Sequence, residues 1–375
     1  MRIAQIAPLM ESIPPRLYGG SERVVSYLTE ELVRQGHRVT LFASGDSITS
    51  ADLVACSKSA LRLEGVENPI PYYMLMLDKV RERADKFDIL HFHVDLFHFP
   101  LFRPIAERTV TTLHGRQDLR DLWPFYRGFS DMPLVSISDA QRAPLREPVP
   151  NANFVATIHH GLPLHLHRPT YEPRGGYVAF LGRICPEKRP DWAIEIARAC
   201  AIPLKIAAKV DRVDEAYFRG TIAPLLEGEG VEFIGEINEH AKTAFLGEAR
   251  AVLFPVDWPE AFGLTMIEAM ACGTPVLAFR GGSVDEIIDE NVTGCVVKTP
   301  QEAVATLPRV FALDRRAVRK RFEERFSVAR MARDYVDVYQ SQLALRAHER
   351  RDGKKIDMPA WLAGAVGNRK RTFVD

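Results

Sequence analysis

Trp258-Pro-Glu-Ala-Phe-Gly-Leu-Thr-Met-Ile-Glu-Ala-Met-Ala-Cys-Gly-Thr-Pro275 is the stretch whose reading decides this chain. The apolar run before it, Ala251 to Phe254, reads as a strand that feeds a loop, and a helix starts near Phe262 and Gly263. The free backbone N–H groups at a helix start form an anion site, and glycine lets a phosphate come close. Glu260 stands just before that helix and Glu268 well inside it, so their heights along the axis differ by roughly 10 Å. That spacing suits one carboxylate at sugar hydroxyls and the other at the hydroxyls of a ribose, with a diphosphate between them. A plainer reading is that Glu260 complements the helix dipole and Glu268 is a surface residue.

A second signal stands upstream, in Gly182-Arg-Ile-Cys-Pro-Glu-Lys188, directly after the strand-like run Tyr177 to Leu181. Arg183 offers a planar fork to phosphate oxygens and Lys188 a point charge. Together they would stabilise the negative charge that develops on a departing nucleotide. Either residue alone also suits an ordinary cationic loop.

Working outward, short apolar runs alternate with helical patterns throughout. Ile3 to Ala7, Val39 to Ala43, Ile89 to Val94, Thr109 to Leu113, Leu134 to Ile137 and Phe154 to Ile158 are strand candidates. A glycine-bearing loop (Gly19, Gly20) leads to Ser21, read as the N-cap of a helix carrying Val24, Val25, Leu28 and Leu32, which Gly36 closes. Asp139 is read as a helix cap after Leu134 to Ile137. The pattern restarts after the Pro- and Gly-containing stretch 166–176, with Leu204 to Ala208, Val231 to Ile234, Ala251 to Phe254 and Val276 to Phe279 as further strands. Continuous apolar runs separated by helices predict α/β architecture with parallel sheets covered on both faces. Two doubly wound, Rossmann-like domains facing a central cleft are expected, with ligands at the carboxyl ends of the strands.

Composition sets the outer limits. The chain has 375 residues, 46% hydrophobic, with 49 basic and 49 acidic side chains. That length suits two domains, and balanced charge argues against a surface built for nucleic acid. Five scattered cysteines, never paired as C-x-x-C, point to a reducing cytoplasm rather than a disulfide framework or zinc site. MRIAQIAP reads as a buried first strand rather than a signal peptide, and no run is long enough to span a bilayer.

The chain resembles a retaining glycosyltransferase of family 4, with the two-domain GT-B fold, from residue 1 to about 345. The family's Glu-x7-Glu pattern matches Glu260 and Glu268, and its Gly-Arg…Lys element matches Gly182, Arg183 and Lys188. Its first-domain glycine loop matches Gly19 and Gly20, its strand-end histidine matches His114, and its Gly-Gly-x-x-(Glu/Asp)-Glu-Ile segment matches Gly281 to Ile287. The resemblance implies that Glu260 contacts the donor sugar and Glu268 the ribose. Arg183 and Lys188 would hold the diphosphate with the amides of Phe262, Gly263 and Leu264. Gly20 would let the first domain approach the phosphates, and His114 would lie beside the donor sugar. Ala261 stands where relatives often have proline. No covalent nucleophile is evident, so a front-face reaction fits better than double displacement.

The expected domains are 1–168 on the acceptor side, 169–330 on the nucleotide-sugar side, and a helix at 331–345 crossing back to the first domain. The basic segment 346–375 is read as a flexible terminus, with contact to an acidic lipid surface as the alternative. No cofactor is expected beyond the donor, for which UDP-glucose is the default. The acceptor, a sugar, lipid or small molecule, is left open. No two aspartates are separated by one residue, so the Asp-x-Asp manganese motif is missing and no metal is expected. His91-Phe-His93-Val-Asp95 opens like a metallohydrolase signature, but Leu96 stands at its last position and core or cleft-lining histidines are the better reading. His160-Gly161 stands where relatives often have Asn-Gly, which suggests a backbone role. Phe97, Phe99, Phe102, Trp123, Phe125 and Tyr126 are read as core rather than an acceptor cleft. A related GT-B epimerase or sugar phosphorylase, and a non-catalytic nucleotide-sugar-binding protein, are the alternative functions.

Overall fold

A computed structural model describes residues 1–17 and 19–351, with side chains described as far as Leu345. Among the described residues, thirteen strands form two sheets. The first comprises β1 (Arg2–Ile6), β2 (Arg38–Ser44), β3 (Asp52–Ser57), β4 (Ile89–Phe92), β5 (Thr109–Thr112), β6 (Leu134–Ser136) and β7 (Phe154–Thr157). Its order is β3-β2-β1-β4-β5-β6-β7. The second comprises β8 (Val178–Ile184), β9 (Leu204–Val210), β10 (Val231–Gly235), β11 (Ala251–Phe254), β12 (Val276–Phe279) and β13 (Gly294–Val297), ordered β10-β9-β8-β11-β12-β13. Every pairing is parallel. The order reverses between β1 and β4 and again between β8 and β11, which puts a ligand crevice at each switch point.

The central strands explain the apolar runs. Every residue of β4, β11 and β12 is buried, because helices cover both faces. Two strands escape the sequence reading. β3 is an edge strand whose Asp52, Leu53 and Ala55 are exposed, and β13 is only four residues long.

Two expected caps are corrected. The first long helix, Gly20–Arg34, has Gly19 as its N-cap with no side-chain hydrogen bond, so Ser21 lies inside the helix. It buries Val24, Val25, Leu28 and Leu32, and Gly36 follows at φ 84°. After β6, Ser138 is the cap, its hydroxyl accepting from the Gln141 N–H at 2.9 Å, while Asp139 is the first helical residue.

The domains are joined by two crossings that run side by side. Leu162 N–H donates to the Phe326 carbonyl at 2.8 Å and Val328 N–H to the Leu162 carbonyl at 2.9 Å. A Cβ on Gly161 would strike the Ser327 backbone, so the crossing admits only glycine at this approach. The final helix, Val328–Arg351, then lies on the first domain. Val328, Met331, Ala332, Tyr335 and Tyr339 form one stripe at helical spacing, packed with Ile3, Val24, Leu28, Ile89 and Val110. Expectations about 346–375 fall outside the residues described with side chains.

The preceding helix, Arg315–Arg325, is basic in sequence, yet Arg315 and Arg319 are buried. Arg315 donates to the carbonyls of Thr170, Gly247 and Ala249, and Arg319 to those of Leu164, His167 and Ala271. Ala271 ends the Leu264–Ala271 helix, where a cation complements the dipole.

Candidate active site

The cleft is built around the helix Leu264–Ala271. Gly263 is its N-cap, at φ 82°, ψ 67°, a left-handed conformation that glycine adopts at little cost. A Cβ there would lie 2.6 Å from Met266 Cε and 3.1 Å from Phe254 Cζ, so the turn is closed to larger residues. Across the cleft sits Gly20, and a Cβ on it would lie 3.4 Å from Leu264 Cδ1. The two domains therefore meet at the open amides of this helix.

Lys188 and Glu260 form the charged pair at its mouth. The Lys188 ammonium donates to Glu260 Oε2, which also accepts from the Trp258 indole N–H at 3.1 Å. Burial pushes the Glu260 carboxyl up, but Lys188, the Trp258 N–H and the Phe262 N–H outweigh it and hold the group below the usual carboxylate range. Lys188 also stands 5.4 Å from the centroid of Trp258 and 5.6 Å from that of Phe254. An ammonium has three N–H donors, so Lys188 can hold Glu260 and still reach a phosphate oxygen.

The Gly281–Ile287 segment supports this loop from behind. Gly282 packs on the backbone of Glu260, too close for any Cβ; Ser283 N–H donates to the Glu260 carbonyl at 2.9 Å and Ser283 Oγ to the Phe262 carbonyl at 2.9 Å. Glu286 reaches the first domain, accepting from the N–H groups of Asp139 (2.8 Å) and Ala140 (2.7 Å).

Arg183 lies within β8 rather than in the loop beyond it, with Nε 3.3 Å from Asp214 Oδ2. Glu268 is buried and takes a 2.7 Å ion pair from Lys242. Lys242 in turn lies 3.4 Å from Glu239, which pairs with Arg23 of the first domain and with His167. Sequence reasoning missed Lys242, Glu239 and Arg23. Only the i, i+3 spacing of Glu239 and Lys242 hinted at a shared helix face, and nothing local tied that face to Glu268. Among the described residues, His167, Glu239 and Glu268 bring three ligand-type atoms within 4.8 Å of one another. Lys242 and Arg23 already neutralise these carboxylates, so a metal ion would have to displace a cation.

Gly19, Gly20, His114, Arg183, Lys188, Glu260, Phe262, Gly263, Leu264 and Glu268 all line this one cleft, of about 400 Å³. His160 lines it too, stacked on His114 with centroids 5.5 Å apart and set edge-on to Phe262 at 4.7 Å. Its side chain, and not only its backbone, belongs to the cleft. Phe99, Phe102 and Tyr126 are core residues, whereas Phe97 is exposed and stacks on Tyr73. His91, on β4, and His93, just after it, are buried and hydrogen-bonded to protein groups.

Two parallel Rossmann-like sheets with helix amides, cations and carboxylates converging between them define an enzyme of the GT-B type. The family model described as glycosyl transferases group 1 matches residues 170–325, and that of glycosyltransferase family 4 matches residues 18–194. The two matches together run from residue 18 to residue 325 and mark the chain as a glycosyltransferase. It is similar to a phosphatidyl-myo-inositol mannosyltransferase of Propionibacterium freudenreichii, 27% identical over 335 residues, covering 82% of this chain and 84% of that protein. It is also similar to an N-acetyl-alpha-D-glucosaminyl L-malate synthase of Bacillus anthracis, 23% identical over 317 residues, covering 74% and 80%. Among solved structures, a sucrose-phosphate synthase from Thermosynechococcus elongatus superimposes with a TM-score of 0.75 at 19% identity, covering 92% of this chain and 99% of the other. At that identity the likeness concerns the fold. Among the described residues no helix is long and apolar enough to cross a membrane.

Proposed function

We propose that this chain transfers a hexosyl group from a nucleotide diphosphate sugar to an acceptor hydroxyl, with retention of configuration and without a metal ion. The observation that carries the proposal is the placement of Lys188 and Glu260 beside the open amides of the Leu264–Ala271 helix. In this reading the amides of Phe262, Gly263 and Leu264, with Arg183 and Lys188, bind the diphosphate. Glu268, held by Lys242, accepts from the ribose hydroxyls, and Glu260 from the sugar.

The bond between the anomeric carbon and the phosphate oxygen breaks as the bond to the acceptor oxygen forms on the same face. The acceptor's proton passes to the departing phosphate oxygen. The protein supplies orientation and fixed positive charge where negative charge grows. The names of the relatives bring mannose and N-acetylglucosamine into consideration as transferred groups beside glucose.

The test is incubation of the purified chain with UDP-glucose, GDP-mannose or UDP-N-acetylglucosamine and a panel of sugar and lipid acceptors, in EDTA. Release of nucleoside diphosphate together with an α-linked product from an α-linked donor is expected. A β-linked product, or dependence on added manganese, would overturn retention or metal independence respectively.

A further inference from the structure

Beneath the cleft, the first sheet carries a buried chain of polar side chains that ends at His114. His114 Nε2 lies 2.9 Å from His93 Nδ1, and His93 Nε2 lies 2.8 Å from Gln5 Oε1. Gln5 Nε2 donates to the Tyr339 hydroxyl at 3.3 Å and stands 3.4 Å from His91 Nδ1. The Tyr339 hydroxyl lies 2.7 Å from His91 Nδ1, and His91 Nε2 lies 2.7 Å from Thr112 Oγ1, which is 2.8 Å from the Tyr335 hydroxyl. Gln5, His91, Thr112, Tyr335 and Tyr339 are buried, and His93 is only 3% exposed. Such a network works only if each donor faces an acceptor.

With the Gln5 amide oxygen facing His93, that requirement fixes the protons. An amide oxygen only accepts, so His93 must carry its proton on Nε2. A neutral imidazole then presents a lone pair at Nδ1, and the nitrogen facing it, His114 Nε2, must be the donor. His114 is left with a bare lone pair on Nδ1, which is buried and has no hydrogen-bond partner. Burial supports the neutral forms, lowering the pKa of both rings and holding that of His114 at about 4. Turning the Gln5 amide over would put its NH2 group against His93 Nε2 and reverse both imidazoles. His114 would then hold an orphaned N–H at Nδ1, a rarer arrangement in folded proteins than an under-used acceptor.

We propose that Gln5 and His93 are positioning residues that set the tautomer of His114, a residue lining the cleft, with the proton on Nε2 and the lone pair on Nδ1. Gln5 is on β1, His93 follows β4 and His114 follows β5, so the device spans both sides of the switch point. Tyr339 ties the device to the final helix: if its hydroxyl donates to His91 Nδ1, 2.7 Å away, its oxygen is left to accept from the Gln5 NH2 group, which matches this amide orientation. What His114 does for the reaction rests on the transferase reading, whereas its tautomer does not.

The test uses the full chain labelled with 15N-histidine, with long-range 1H–15N spectra recorded at pH 7.5 and His114 assigned through His114→Gln. The expected wild-type signature is a protonated Nε2 and an unprotonated Nδ1. Gln5→Met, close in shape but unable to direct His93, should turn this into a mixture. It should also lower kcat about tenfold while the donor KM stays within twofold, because the nucleotide is held by the second domain. A wild-type His114 protonated on Nδ1 would overturn the inference, and that result needs no variant to fold. Wild-type tautomer and kcat in Gln5→Met would overturn it equally. Absence of transferase activity would defeat the functional reading, and the wild-type spectrum would still decide the tautomer.

Discussion

Lys188 and Glu260, 72 residues apart in sequence, meet as a partly buried ion pair at the mouth of the Leu264–Ala271 helix. One comes from the loop after β8 and the other from the loop after β11, the two strands that flank the second domain's switch point. The pairing aligns a group that binds negative charge with a group that accepts from hydroxyls, the two kinds of contact a sugar nucleotide presents.

Lys188→Ala is expected to reduce turnover at least tenfold. In the proposed reaction it removes a cation from the leaving group, and it leaves the partly buried Glu260 carboxylate without its partner, a loss that destabilises as well. Steady-state kinetics and a melting curve would check both effects. Wild-type turnover in the variant would remove Lys188 from the mechanism.

Gly263→Ala tests the helix start. The left-handed backbone costs about 1–2 kcal/mol for a residue with a Cβ, and that Cβ must also displace Met266 Cε or Phe254. Donor affinity should fall and the melting temperature should drop by several degrees. An unchanged KM for the sugar nucleotide would mean that these amides do not carry the phosphates.

The buried histidines make stability depend on pH in a set direction. Burial first, and neighbouring histidines second, lower the pKa of His91, His93 and His160, while burial alone lowers that of His114. Below the ordinary histidine pKa of about 6.5 the unfolded chain takes up protons that the folded chain refuses, so stability falls as pH falls. For His114 the loss levels off near pH 4. Above pH 6.5 these groups contribute no slope. Melting at pH 7.5 and 5.5 should show the lower temperature at 5.5; equal temperatures would contradict neutral burial.

Chelation tests the charge arrangement. Arg183, Lys188 and the helix amides are proposed to hold the diphosphate, and Lys242 and Arg23 already neutralise the carboxylates near His167. Activity should therefore be unchanged in EDTA. Loss of activity with recovery on adding manganese would point instead to His167, Glu239 and Glu268.

What the sequence made legible was whatever is encoded locally. The fully buried strands β4, β11 and β12 read as apolar runs because both of their faces are covered. Glu260, Gly263 and Glu268 stood out because one loop and one helix carry them all. β3 was missed because an edge strand shows half its face to solvent, and β13 because four residues hold too little pattern. Ser21 and Ser138 show the limit for caps, since one serine caps nothing and the other caps a helix credited to Asp139. Lys242, Glu239 and Arg23 meet only through the folding of separate segments. Arg315 and Arg319 read as part of a basic helix, yet their burial depends on distant carbonyls.

The most direct test of the central claim, that this cleft holds a nucleotide diphosphate sugar, is a thermal-shift titration against UDP-glucose, GDP-mannose and UDP-N-acetylglucosamine in EDTA. A ligand at a hundred times its dissociation constant adds about 2.7 kcal/mol to stability. The account predicts a rise in melting temperature with at least one of them, lost in Glu268→Ala. No shift with any sugar nucleotide, or an undiminished shift in Glu268→Ala, would contradict the assignment of the site.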